Sequence, residues 1–170
     1  VNDLDNQGAI LDRCSKGMMN WISELSLDYD LDGCRDSDED WDDDNDGVND
    51  LDTSNSVLDK CPKGAKGWLS SESTDRDGDG CRDIDEDDDT DGDGIIDTSD
   101  NCFVQVGWTS SPLTDYDGDG CRDMDEDDND DNDPVYDAND DCEKGEIGWT
   151  ETDFDGDGCR DESEDNDDDN

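Results

Sequence analysis

The chain has 170 residues, 59 of them Asp or Glu against 11 Lys or Arg, for a formal charge of -48, and only 26% are hydrophobic. Such a composition cannot supply one large apolar core, and self-repulsion on that scale opposes compaction. It also argues against a nucleic-acid partner, which needs a basic surface, and against a membrane span, because no apolar run approaches ~20 residues.

The counter-ions that suit this chain are metal cations. Oxygen ligands without a single His favour Ca²⁺, Mg²⁺ or Mn²⁺ over zinc or copper. The eight cysteines form no C-x-x-C pair and sit among acids, so they read as four disulfides made in an oxidising, extracellular compartment.

Internal repetition overrides a reading of plain disorder. Cys-Arg-Asp recurs at Cys34, Cys81, Cys121 and Cys159, at intervals of 47, 40 and 38 residues. A second cysteine precedes each (Cys14, Cys61, Cys102, Cys142), followed within seven residues by Trp21, Trp68, Trp108 and Trp149. Low-complexity acidic sequence would not keep Cys and Trp in phase in this way. The repeats run over residues 1–47, 48–94, 95–134 and 135–170.

In chain order, residues 1–5 match 48–52, and residues 167–170 match 42–45. The two ends read as halves of one further acidic loop, and the chain as a window on a longer array. Residues 28–39 then read as an EF-hand-type loop. Asp28, Asp30 and Asp32 stand at positions 1, 3 and 5, Gly33 at the turn, Cys34 at position 7 offering its carbonyl, Asp36 at 9 and Glu39 at 12. A second loop follows with Asp42, Asp44, Asp46 and Asp50.

The first type returns at Asp75, Asp77, Asp79, Cys81, Asp83 and Glu86, and the second at Asp89, Asp91, Asp93, Asp97 and Asp100. It returns again at Asp115, Asp117, Asp119, Cys121, Asp123 and Glu126, followed by Asn129, Asp131, Asp133, Asp137 and Asp140, where Pro134 replaces the expected Gly. The last first-type loop is Asp153, Asp155, Asp157, Cys159, Asp161 and Glu164. The competing reading of the second-type loops is a solvated acidic linker. No flanking stretch carries the apolar stripe of a true EF-hand helix, and Gly and Asp in this density disfavour helix.

The D-x-D-x-D-G loops, Asp100-Asn101-Cys102, Cys61-Pro62 and the D-G-D-G-C turn at residues 77–81 resemble the thrombospondin type 3 repeat over nearly the whole chain. The resemblance implies an extended chain wrapped around many Ca²⁺ ions, with sequential disulfides and a place in extracellular matrix or surface proteins. The Gly-Trp element and the Glu at position 12 depart from that pattern toward EF-hand and dockerin-like loops. The fold expected is mostly irregular, with little regular secondary structure: an elongated tandem array of calcium-binding repeats stapled by disulfides.

Two disulfide schemes are simple. Pairing Cys14–Cys34, Cys61–Cys81, Cys102–Cys121 and Cys142–Cys159 uses steps of 20, 20, 19 and 17 residues. Pairing across the second-type loops uses steps of 27, 21 and 21 and leaves Cys14 and Cys159 over; the first scheme is preferred.

No catalytic constellation is visible, since there is no His to serve as base beside a nucleophile. The reading is a non-enzymatic extracellular structural protein, a stalk or a self-associating filament subunit, folded by about eight or more Ca²⁺ ions. The other reading is a calcium-dependent adhesin that holds a glycan or a surface protein. Trp41 stands outside the repeat phase, as a candidate for a contact between units.

Overall fold

The computed structural model describes residues 12–150 and 153–165, so the split loop expected at residues 1–5 and 167–170 lies outside the described residues. The only helical element among the described residues is a 3₁₀ turn, Asp137–Asn139. One isolated antiparallel bridge joins Leu51 to Val57. No described helix is long and apolar enough to cross a membrane.

The backbone is organised by its aspartates. An Asp carboxylate can accept the N–H two residues on, giving the chain an alternative to helix or sheet. Residues 75–83 show the pattern. Asp75 Oδ2 accepts from Gly80 N at 3.2 Å, Asp77 Oδ1 from Asp79 N at 3.2 Å, and Asp79 Oδ1 from Cys81 N at 2.8 Å. Asp83 Oδ1 closes the loop by accepting from Arg76 N at 3.0 Å, and Asp83 N donates back to Thr74 O. The same closures recur with Asp28, Asp30, Asp32 and Asp36, and with Asp115, Asp117, Asp119 and Asp123.

Four disulfides, Cys14–Cys34, Cys61–Cys81, Cys102–Cys121 and Cys142–Cys159, hold these loops, with Cα–Cα distances of 5.0, 5.1, 4.9 and 5.2 Å. Beside each bridge a short backbone pairing forms: Arg13 N, Lys60 N, Asn101 N and Asp141 N donate to the carbonyls of Asp32, Asp79, Asp119 and Asp157. Closing a loop of about this length restricts the unfolded chain by ~3 kcal/mol.

The interior follows from the composition. Among the described residues the buried apolar ones are Cys34, Cys81, Cys121, Cys159 and Trp149, while the most deeply buried side chains are aspartates, including Asp28, Asp46 and Asp93 at 0% exposure. The chain divides into two compact units, Val1–Asp88 and Asp89–Asn170.

Candidate metal centres

In the first-type loops the position 1, 3 and 5 carboxylates converge. One oxygen from each of Asp28, Asp30 and Asp32 lies within 4.8 Å of the others, and Asp75, Asp77 and Asp79 form an equal group. Asp40 forms a separate group with Asp32 and Cys34. Its neighbours raise one another: burial, then Asp32 and Asp42, push Asp40 up to about 6, and burial with Asp32 and Asp40 pushes Asp30 up to about 7. Asp127 stands to Asp119 as Asp40 does to Asp32, pushed up by burial to about 6. The Sγ atoms of Cys34, Cys81, Cys121 and Cys159 are bridged, so what these residues can offer an ion is the backbone carbonyl.

The glutamates at position 12 reach segments outside their own loops. Glu86 Oε1 accepts from Ala65 N at 2.6 Å, and Glu39 Oε1 from Met18 N. A Cβ placed on Gly64 would meet both Glu86 Oε1 at 2.7 Å and Asp44 Oδ2 at 3.1 Å. Gly145 stands in the same relation to Glu164 Oε1 and Asp131 Oδ2, at 2.7 and 3.1 Å. Glu86 and Glu164 are thereby brought to the second-type loop that precedes them in the chain, and the glycine is needed for space. Glu126 takes a backbone hydrogen bond from Gln105, and burial raises its pKa.

The second-type loops are built the same way. Asp42, Asp44 and Asp46 converge within 4.8 Å. Gly47 N and Gly94 N donate to Asp42 Oδ2 and Asp89 Oδ2 at 3.0 and 3.1 Å, from a backbone at φ 98° and 100°. Pro134 has no N–H to give. There the position 1 residue is Asn129, and its Nδ2 donates to Asp133 O at 3.0 Å instead. The rest of that loop is kept, with Asp131, Asp133 and Asp137 accepting from Asp133 N, Val135 N and Asp130 N. Asp50 and Asp97 likewise accept from Asp43 N and Thr90 N.

Each of these loops gains a further acid two residues before the next cysteine. Asp100 and Asp140 were expected there from the sequence; Asp59, and Asp12 beside Gly33, were not. Asp59 lies nine residues after Asp50, whereas Asp140 lies three after Asp137, and the extra length hid the correspondence. The spacing Asp-x-Cys, shared by residues 12–14, 59–61, 100–102 and 140–142, was the available signal. Asp59 accepts from Cys61 N at 2.6 Å and lies over Gly80, whose φ is 86°; Asp100 and Asp140 lie the same way over Gly120 and Gly158. Burial, with Asp46 and Asp44 nearby, pushes Asp59 up to about 7, and burial with Asp133 and Asp131 pushes Asp140 up to about 6.

Many of these carboxylates are buried with one oxygen lacking any hydrogen-bond partner: Asp28 Oδ1, Asp46 Oδ2, Asp59 Oδ2, Asp93 Oδ2, Asp100 Oδ2, Asp133 Oδ2, Asp140 Oδ2, and Glu39, Glu86 and Glu126 Oε2. Asp91 lacks partners at both oxygens, and burial with Asp93 and Asp100 pushes it up to about 7. A buried polar atom without a partner costs ~1–3 kcal/mol, and more when charged. Oxygen clusters of this kind can hold hard cations. In the last loop Asp153 and Asp157 keep the turn bonds, Asp161 accepts from Phe154 N, and Asp155 lacks partners at both oxygens.

The chain's own cations are placed between loops. Lys63 Nζ bonds Asp36 Oδ2 and lies 3.4 Å from Asp43 Oδ2; Lys144 Nζ bonds Asp123 Oδ2 and lies 3.2 Å from Asp130 Oδ2. Tyr29 and Tyr116 brace these junctions through hydroxyls donating to Gly64 O and Gly145 O, both at 2.9 Å. Lys60 pairs with Asp79 at 2.8 Å. Arg35, Arg82 and Arg122 pair with the aspartate three residues on, and Arg82 and Arg122 lie 5.9 Å from the rings of Trp68 and Trp108. Trp21, Trp68 and Trp108 each donate their indole N–H to the carbonyl three residues earlier. Comparison with protein-family models, curated proteins and solved structures returns no match.

Proposed function

We propose that this chain is a calcium-folded extracellular structural protein, serving as a stiff stalk or as the subunit of a surface filament. The observation that carries the reading is the interior itself. Deeply buried aspartates such as Asp46 and Asp93, at 0% exposure and each with an oxygen that no donor reaches, fill the place that apolar side chains fill in ordinary domains.

A divalent cation would supply the missing counter-charge at three kinds of place. The first-type loops offer Asp28, Asp30 and Asp32 with Asp40, and their counterparts. The second-type loops offer Asp42, Asp44, Asp46 and Asp59. Glu86 and Glu164 would tie the segment that carries them to the loop before. Binding free energy would then be folding free energy. Four disulfides, and described residues without a membrane-spanning helix, fit secretion. Extracellular sites of this chemistry work at ~10⁻⁴–10⁻³ M.

The test is a calcium titration of the oxidised, metal-free chain, read by calorimetry and by tryptophan fluorescence and near-ultraviolet circular dichroism. Several ions should bind as the spectra change, and EDTA should reverse both. Spectra that stay the same while chelator removes every ion would refute the proposal. Electron microscopy with and without EDTA tests the filament role separately, since ordered assemblies should dissolve in chelator.

A further inference from the structure

The first second-type loop differs from its counterparts in two ways at one place. Trp41 stands where the chain later has Asp128; Asp50 N donates to Trp41 O at 2.8 Å, as Asp137 N donates to Asp128 O at 3.1 Å. The path from Asp50 to Asp59 is also longer and makes a small hairpin. Leu51 bridges Val57, Asp52 N donates to Ser56 O, and Asp52 Oδ1 accepts from Ser54 N and Ser56 N. Loop closure needs neither addition, because the short turn Asp137–Asn139 completes the same loop in the other unit. Both additions keep apolar surface in water: Trp41 is 63% exposed, Val57 66% and Leu51 38%.

The two additions line one groove. Its walls are Trp41, Leu51 and Asn55 with Asp36, Asp38, Asp40 and Asp50. Asp36 and Asp40 group within 4.8 Å with Asp43, which is 6% exposed and has an unpartnered Oδ1. At the rim, Asp38 already receives the Arg35 guanidinium.

We propose that this groove binds an arginine or lysine side chain of a basic protein segment. The cation lies on the face of Trp41 and the aliphatic stem on Leu51, while Asp50, with Asp38 shared from Arg35, takes the charge. Charge complementarity chooses this occupant. Every ionisable wall residue is acidic, in a chain of net charge -48 that steers cations toward it, and Trp is the strongest aromatic partner for a cation.

The probe is a fluorescently labelled peptide of alternating arginine and leucine, titrated by anisotropy into the full oxidised chain in saturating calcium. A glutamine–leucine peptide and a neutral oligosaccharide are run beside it, with circular dichroism on every sample to show that the chain is folded. The arginine peptide should bind, Trp41→Ala should weaken it about tenfold, and Trp41→Phe should fall between. Ile84→Ala, on an exposed residue outside the groove, should bind as the parent does. Because Trp41→Ala leaves the charge unchanged, equal binding by parent and Trp41→Ala would reduce the interaction to the chain's general field and overturn the proposal. Trp41-dependent binding of the glutamine peptide or the oligosaccharide would overturn it, as would loss of the arginine peptide on calcium saturation. Should Trp41→Ala fail to fold, equal binding by Trp41→Phe and a Leu51→Ser variant to the parent is the refuting result.

Discussion

Replacing Gly80 by Ala combines two costs that the neighbouring Gly78 separates. Both glycines have a left-handed backbone, with φ of 78° at Gly78 and 86° at Gly80. A methyl group on Gly78 meets nothing within 4 Å, whereas one on Gly80 falls on the Asp59 carboxylate. The backbone cost is about 1–2 kcal/mol, offset by about 0.4–1 kcal/mol because Ala narrows the unfolded ensemble. Overpacking adds about 1–3 kcal/mol. Gly78→Ala should therefore lose ~1 kcal/mol and Gly80→Ala ~2–4 kcal/mol. Urea unfolding in saturating calcium, followed by tryptophan fluorescence, measures both. Adding Asp59→Ala should cost less in the Gly80→Ala background than in the parent, because the collision is then relieved. Equal losses from the two glycine variants, or strict additivity with Asp59→Ala, would refute the placement of Asp59 over Gly80.

In EDTA the chain should be most compact in acid. Burial raises Asp30, Asp91 and Asp117 from 3.8 to about 7 in the folded state, so protons favour folding. That contribution is complete below pH ~4 and is lost progressively as pH rises to about 7. Small-angle scattering at pH 4 and pH 7.5 checks it, and the calcium needed for half-folding at fixed ionic strength should fall as pH drops from about 7 to about 5. Lys63→Met leaves Asp36 and Asp43 without their shared cation. At saturating calcium it should cost about 1 kcal/mol or less, Lys63 being half in water, and calorimetry should find at least one further divalent ion bound at Asp36, Asp40 and Asp43. Leu31 sits at φ 67° where the other first-type loops have glycine. Leu31→Gly should raise stability by about 0.5–1 kcal/mol in the same urea assay. Ser70 N donates to Asp46 O and its hydroxyl to Asp75 Oδ2 at 2.5 Å, so Ser70→Ala should lose about 1 kcal/mol, while Ser73→Ala, at an exposed site, should lose nothing measurable.

Much of the architecture is legible in composition and spacing. So many Asp and Gly residues, with so little apolar periodicity, leave the backbone no option but turns closed by carboxylates. Distant partners are harder to read. Glu86 occupies position 12 of its loop by count, yet after Arg82 the chain makes one tight turn, with Glu86 N donating to Arg82 O, and the side chain lands beside Gly64 and Asp44. Periodicity within a loop carries no trace of that, because the donor, Ala65 N, belongs to a segment 21 residues earlier. Asp59 was hidden for another reason: an inserted hairpin moved it out of register, and only its fixed distance from Cys61 survives. The exchange of Asn129 with Pro134 is readable as a pair only once the N–H that proline lacks is seen to be the bond Asn129 replaces.

An interior made of carboxylates and cystines also alters how the molecule meets temperature. Unfolding an ordinary domain wets hydrocarbon and raises the heat capacity by ~12–15 cal/mol/K per residue, while wetting polar surface lowers it. Here the side chains shut most completely from solvent are aspartates, so the calorimetric step between native and denatured baselines should be small. The dome of stability against temperature should flatten accordingly, and warming or chilling should matter far less to this protein than the salt content of its surroundings.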